Sequence, residues 1–228
     1  MMITSSRAYE DSFVRRTRRH RMRLPAEMLR PFLPPRTIGT AHVVSTAVLE
    51  PAYEIGGDAF DHSLTETTLH ATVLDAMGHD LASGLTTAVS LAACRNARRT
   101  GADLPELVQC VDGAPAQWLP GQFCTGVLAQ LDLASGVLPW TNCGHPTPLV
   151  IRDRRLLGDA MLREPDPPMG LPSLLAGRRR PVHETALKPG EPASETLRRL
   201  IHSILDSSTR RLRDDATILM VEWSPPSR

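Results

Sequence analysis

Lysine is almost missing from this chain: Lys188 is the single example among 26 basic residues, and the rest are arginine. Those 26 are balanced by 25 acids, and the formal charge of +1 leaves no overall field to draw in nucleic acid or an anionic membrane. Aromatic residues amount to 4%, too few for the stacking platforms of a single-strand binder. No apolar run approaches the ~20 residues that span a bilayer, and residues 1 to 19 lack the apolar stretch of a secretory signal. Cysteine is sparse as well. Cys94, Cys110, Cys124 and Cys143 lie too far apart for a zinc knuckle or a redox pair. Buried free thiols in a reducing, cytoplasmic compartment are therefore expected.

What is present is an ordinary globular composition, 41% hydrophobic and 22% charged, over 228 residues. That length buries one substantial core, and 20 prolines mark many short connections. Residues 1–34 read as an N-terminal helical or linker segment. Phe13, Val14, Met22, Leu24, Met28 and Leu29 give it an irregular apolar stripe, and six arginines from Arg15 to Arg23 give it a basic block. A break is expected at Pro25, which removes a donor and clashes with the preceding turn. The block reads as a solvated helix face, or alternatively as a linker helix to a sensor domain or partner subunit, through which a homodimer could form.

Residues 35–228 read as one layered α+β domain. Strands are expected at His42–Leu49, Asp58–Leu64 and Thr67–Leu74. The period then changes, and Leu81, Leu85, Ala88, Val89, Ala92 and Ala93 recur at helical spacing up to Arg99. A second helix is expected over Leu104–Leu119, weakened at Gly113 and Pro115. Strands return at Phe123–Leu131, Val137–Thr141, Thr147–Arg152 and Val182–Leu187. An amphipathic helix follows over Glu195–Leu205, then a last strand, Ala216–Trp223.

Three acidic stretches sit where such strands end: Gly56-Gly57-Asp58-Ala59-Phe60-Asp61, Asp75-Ala76-Met77-Gly78-His79-Asp80, and Arg213-Asp214-Asp215-Ala216-Thr217. Hard divalent cations take carboxylate, carbonyl and water oxygens, and acids gathered from several strand ends can supply them. Singly, each acid is more often a turn or cap residue. Together with Asn142-Cys143-Gly144-His145-Pro146, the ordered set resembles the SpoIIE/RsbU group of PP2C-type serine/threonine phosphatases, from about Pro34 to Trp223.

That resemblance implies a PP2C-like sandwich of two antiparallel sheets flanked by helices, in α-β-β-α layers, with Mn²⁺ or Mg²⁺ in a two-metal site at one edge. Asp75 matches the bridging carboxylate, the Ala76 carbonyl adds an oxygen, Asp58 matches an acid of the first metal and Asp214 one of the second. His79 is implied as a general acid or an organiser of water, and a covalent phosphoenzyme is not needed. Asn142 and His145 are read as structural, and Asp61 and Asp80 as surface or supporting groups, Asp80 suiting a helix N-terminus. The substrate implied is a phosphorylated protein, a STAS-type anti-anti-sigma factor in a partner-switching pathway.

One element of the family pattern is missing. After Lys188-Pro189-Gly190-Glu191 a T-D-G strand and a helix are expected, but Pro192-Ala193-Ser194 leads straight into the next helix. Either a segment between 191 and 195 is absent from the sequence as it stands, or the chain truly lacks it and the second metal is held more weakly. Unpaired buried backbone costs about 1–3 kcal/mol per group, which favours the former. The competing function is a catalytically degenerate module of the same fold that binds a partner or regulates one.

Overall fold

A computed structural model describes residues 32–50, 57–152, 155–175, 179–188 and 215–225. The N-terminal segment with its arginine block, Gly56, the helix expected over Glu195–Leu205, the region of the missing T-D-G element and Asp214 lie outside the described residues.

Two antiparallel sheets face each other. The first joins β1 (Thr37–Gly39), β2 (Val43–Glu50) and β10 (Ala216–Trp223) in that order. The second has the order β3 (Asp58–Leu64), β4 (Thr68–Ala76), β5 (Cys124–Asp132), β6 (Val137–Cys143) and β9 (His183–Ala186). A small hairpin, β7 (Val150–Arg152) with β8 (Arg155–Leu157), stands apart. Helices α1 (Leu81–Arg99) and α2 (Leu104–Trp118) cover the outer face of the five-stranded sheet. Three of the four expected layers are thus seen among the described residues. The antiparallel PP2C-like sandwich inferred from the sequence is the fold observed.

Burial follows this layering. Between the sheets, Val43, Leu69, Leu131 and Trp223 form one apolar cluster. Between the five-stranded sheet and the helices, Leu74, Leu91, Leu107, Val111, Leu128 and Met169 form a larger one. Such positions lose their apolar area to the core at roughly 25 cal/mol per Å². The expected strands appear with small shifts of their ends, whereas β1 and β8, three residues each, were not anticipated.

Helix α1 has the expected bounds but buries a different face. Leu81 and Leu85 are exposed, and the buried row is Ser83, Gly84, Thr86, Thr87, Ser90, Leu91, Cys94 and Ala97. Small side chains let the helix axis approach the sheet closely, and their hydroxyls find partners there. Ser90 pairs with Cys124, and the Thr87 hydroxyl donates to the carbonyl of Gly57. Asp80 caps the helix by accepting from the Ser83 amide at 3.0 Å, as anticipated for a carboxylate at that end. Helix α2 opens with a reciprocal capping box between Asp103 and Glu106 and runs through Pro115 without ending.

Of the two places expected for Asp61, surface or supporting, the surface one is excluded: it is 2% exposed and receives Arg95 at 2.7 Å and Arg98 at 2.6 Å. Three residues beyond Asp58 on a strand, it faces the opposite side, towards α1. Cys94, Cys124 and Cys143 are buried free thiols, but Cys110 is exposed on α2. Burial pushes the Cys124 thiol up to about 11 and Cys143 up to about 12, so both stay protonated.

Candidate active site

The site forms where the two sheets meet at one end. β3 and β4 pair so that Asp58 and Asp75 are register partners. Residues opposed in this way share a face, with Cβ atoms about 5 Å apart, and like charges so placed repel. From the other sheet, β10 brings Thr217, whose hydroxyl donates to Asp58 Oδ2 at 2.7 Å. Two residues earlier, Asp215 enters the cleft itself.

The cleft has a volume of about 250 Å³. Gly57 lines it at the start of β3, and Asp75 to His79 line it from the end of β4 and the loop into α1. Phe123, just before β5, and Thr125, near its start, complete the lining together with Asp215. No lysine or arginine among the described residues lines it. Asp75 and His79 are exposed at its mouth, whereas Ala76 is buried beneath.

The loop that carries these groups is tied down from below. A Cβ at Gly57 would run into the carbonyl of Ala76 and stand 3.0 Å from that of Gly78, so only glycine fits. The Gly57 carbonyl accepts from the Ala76 amide at 3.0 Å, and the Met77 amide donates to Phe123 at 3.1 Å. Thr125 is the register partner of Asp75 on the other side of β4. Its hydroxyl lies 3.0 Å from His145 Nδ1 and 3.4 Å from the Asp75 carbonyl. Asn142 fixes the histidine's backbone from both sides: its amide donates to the His145 carbonyl and accepts from the His145 N–H, each at 2.8 Å. Gly144 makes the turn at φ +72°, where a side chain would be strained. Burial lowers the His145 pKa from its ordinary value, which keeps the ring neutral near pH 7.

Behind β5 a second support grips the same wall. Met169 exchanges both backbone hydrogen bonds with Cys124, at 2.9 and 2.8 Å. The loop around Met169 is held by Asp112 of α2, which accepts from the Gly170 amide and from Arg180, each at 3.0 Å. The Pro168-Met169-Gly170-Leu171 stretch thereby braces the Phe123–Thr125 edge of the cleft.

The residues singled out from the sequence divide as follows. Asp75, Ala76 and His79 line the cleft, Asp58 stands beside Asp75 and is held by Thr217, and Asp214 lies outside the described residues. Asp215, Thr125 and Thr217 were not singled out. The Arg-Asp-Asp-Ala-Thr stretch offered two adjacent acids with nothing to choose between them, and threonine hydroxyls carry no periodic signal.

Among the described residues no three His, Cys, Asp or Glu side chains form a closed metal cage. The donor set is nevertheless of one kind: carboxylate, carbonyl and hydroxyl oxygens in an open cleft, with the nearest thiol, Cys124, buried and protonated. Hard cations that keep several waters bind through one or two carboxylates in such places. A positive ion there would also relieve the repulsion between Asp58 and Asp75. The residues present fit a divalent cation of the Mg²⁺ or Mn²⁺ class.

A family model, Stage II sporulation protein E (SpoIIE), matches residues 65–191, more than half of the chain. The fold is similar to that of the RsbU and RsbW domains of a Mycobacterium tuberculosis protein, with a TM-score of 0.61 and 22% identity over 85% of this chain and 63% of that one. The chain therefore spans less than two thirds of that protein. It is also similar to the PP2C phosphatase domain of SpoIIE from Bacillus subtilis, solved with a fragment of its regulatory domain (TM-score 0.67, 14% identity, 86% of this chain and 74% of that one). RsbX, crystallised with magnesium, matches with a TM-score of 0.64 and 13% identity over 82% of this chain and 98% of that one. At these identities the structural likeness is one of fold. No curated protein sequence matches the chain.

Proposed function

The chain belongs to the SpoIIE family, and from that premise we propose that it is an active metal-dependent phosphatase acting on phosphoserine or phosphothreonine in a protein. Its PP2C-type fold implies dependence on a divalent metal. The observation that carries the proposal is the pairing of Asp58 with Asp75 at a cleft that Asp215 enters from the other sheet.

In this reading Asp75 and the Ala76 carbonyl would hold divalent cations at the cleft. Asp58 serves the first ion, directly or through water, and the Thr217 hydroxyl fixes which way its carboxylate turns. Asp214, matched to the second ion by the resemblance, or Asp215, which lines the cleft, would serve the second. When bound, the ions supply Lewis acidity and make water a stronger acid. His79, exposed at the mouth, can hold a proton near the leaving oxygen of the serine or threonine and so act as its general acid. Among the described residues no arginine or lysine lines the cleft, so in this reading the cations neutralise the phosphoryl group. The substrate class proposed is a small STAS-type anti-anti-sigma factor, in keeping with the RsbU–RsbW and RsbX proteins to which the fold is similar.

The test compares Mn²⁺-dependent hydrolysis of a phosphopeptide by the wild type and Asp75→Asn. Loss of at least a hundredfold in the variant is expected, on the order of a lost electrostatic catalytic group. Equal rates in the two proteins would sink the proposal. The degenerate-module reading has one observation in its favour: among the described residues, β10 has a strand partner on only one side. It predicts partner binding that calorimetry finds unchanged by EDTA.

A further inference from the structure

We propose that the Thr125 hydroxyl is a substrate contact, donating a hydrogen bond to a phosphoryl oxygen in the cleft, and that His145 is the positioning residue that holds it ready. The inference rests on the phosphatase reading above and adds two residues to it.

Thr125 lines the cleft beside Asp75, its register partner. The hydroxyl carries one proton and two lone pairs. Its described partners are His145 Nδ1 at 3.0 Å, which donates or accepts according to the ring's tautomer, and the Asp75 carbonyl at 3.4 Å, too long for a strong bond. In the proposed tautomer the His145 ring carries its proton on Nδ1 and donates to the threonine oxygen. In that tautomer the imidazole occupies a lone pair of the hydroxyl and leaves its proton for an acceptor in the cleft. A phosphoryl oxygen entering the cleft is a stronger acceptor than a distant carbonyl, since hydrogen bonds to charged groups are roughly twice as strong as neutral ones.

Two features separate this arrangement from a mere turn. In the phosphatase reading the cleft takes a phosphoryl dianion, and among the described lining residues, which include no lysine or arginine, Thr125 is a neutral side-chain donor placed to meet one of its oxygens. The Asn142-to-Pro146 turn is also closed without the ring: Asn142 satisfies the His145 backbone from both directions, and Gly144 supplies the left-handed bend. The imidazole is therefore not needed to close the turn. Its one described hydrogen bond goes to Thr125.

The experiment measures kcat and KM for a phosphopeptide, with Mn²⁺ affinity and inorganic phosphate affinity by calorimetry, on the full chain. Thr125→Val is expected to raise KM and weaken phosphate on the order of tenfold, the size of a lost bond to a charged group, with Mn²⁺ affinity unchanged. Thr125→Ser should restore both. His145→Ala should give a smaller loss of the same kind, and His145→Asn, whose side-chain amide reaches the Nδ1 position, should recover it. In the double variant His145→Ala should add nothing to Thr125→Val. Wild-type constants in Thr125→Val, or a His145→Ala loss undiminished by it, overturn the inference. Absent Mn²⁺ binding in the wild type overturns the phosphatase reading instead, and the inference with it. Should Thr125→Val fail to fold, the ¹⁵N shifts of the His145 ring decide: the Nδ1–H form is expected, and the Nε2–H form would overturn the proposal.

Discussion

Thr217 on the last strand donates its hydroxyl proton to the Asp58 carboxylate at 2.7 Å, across 159 positions of sequence. The bond ties the three-stranded sheet to the five-stranded one at the edge of the cleft. Replacing Thr217 by valine keeps the shape and removes the donor. A loss of about 1–2 kcal/mol is expected in urea unfolding, typical of a partly buried bond to a charged acceptor. Mn²⁺ affinity should fall as well, because Asp58 is freer to turn, and Thr217→Ser should recover both. Unchanged stability and metal binding in the valine variant would show that the bond neither joins the sheets nor orients the acid.

Much of the fold was legible because its strands and helices announce themselves by apolar period; Asp58 and Asp75 stand out only as acids at strand ends, and the family resemblance alone gives them a metal role. The buried face of α1 was not legible. Periodicity counts apolar residues, so it selected Leu81 and Leu85, whereas close approach to the sheet selected Ser83, Gly84, Thr87 and Ser90. The burial of Asp61 was not legible for a related reason. Its burial depends on Arg95 and Arg98, 34 and 37 positions away, and nothing near Asp61 in the sequence signals them. The roles of Thr125 and Thr217 depend on strand register between distant segments, which no local pattern carries.

The Asp61 clasp gives a strong stability expectation. Its carboxylate is 2% exposed and holds two guanidinium groups that are themselves mostly covered. Arg95 also donates to the carbonyl of Phe32, so the acid organises the arginine that fixes the chain's entry into the sandwich. Breaking a buried pair from one side leaves the other charge uncompensated, at a cost of about 3–5 kcal/mol. Asp61→Asn should sit near the lower end, because both arginines retain some solvent. Urea unfolding should show the shift in midpoint, while phosphopeptide hydrolysis at a permissive temperature should change far less. A variant as stable as the wild type would mean the clasp contributes nothing net.

Three histidines give the protein a defined response to acid. His70 has its pKa lowered to about 4, chiefly by burial and then by the neighbouring positive charge of Arg98. His62 is lowered by burial, with its ring between Ser45 and the Pro35 carbonyl, and His145 is lowered by burial alone. In each case the folded protein binds the proton less readily than the unfolded chain, whose histidines titrate near 6.5. Between about pH 6.5 and pH 4 the unfolded state therefore carries more protons, and stability falls as pH falls. Above pH 7 these rings contribute no slope. Because His70 is only partly buried, solvent screening keeps its share modest. Urea midpoints measured from pH 7.5 to pH 5 should decline, and His70→Gln should flatten part of that decline by removing one titrating ring. A flat profile in the wild type would contradict the neutral state assigned to these histidines.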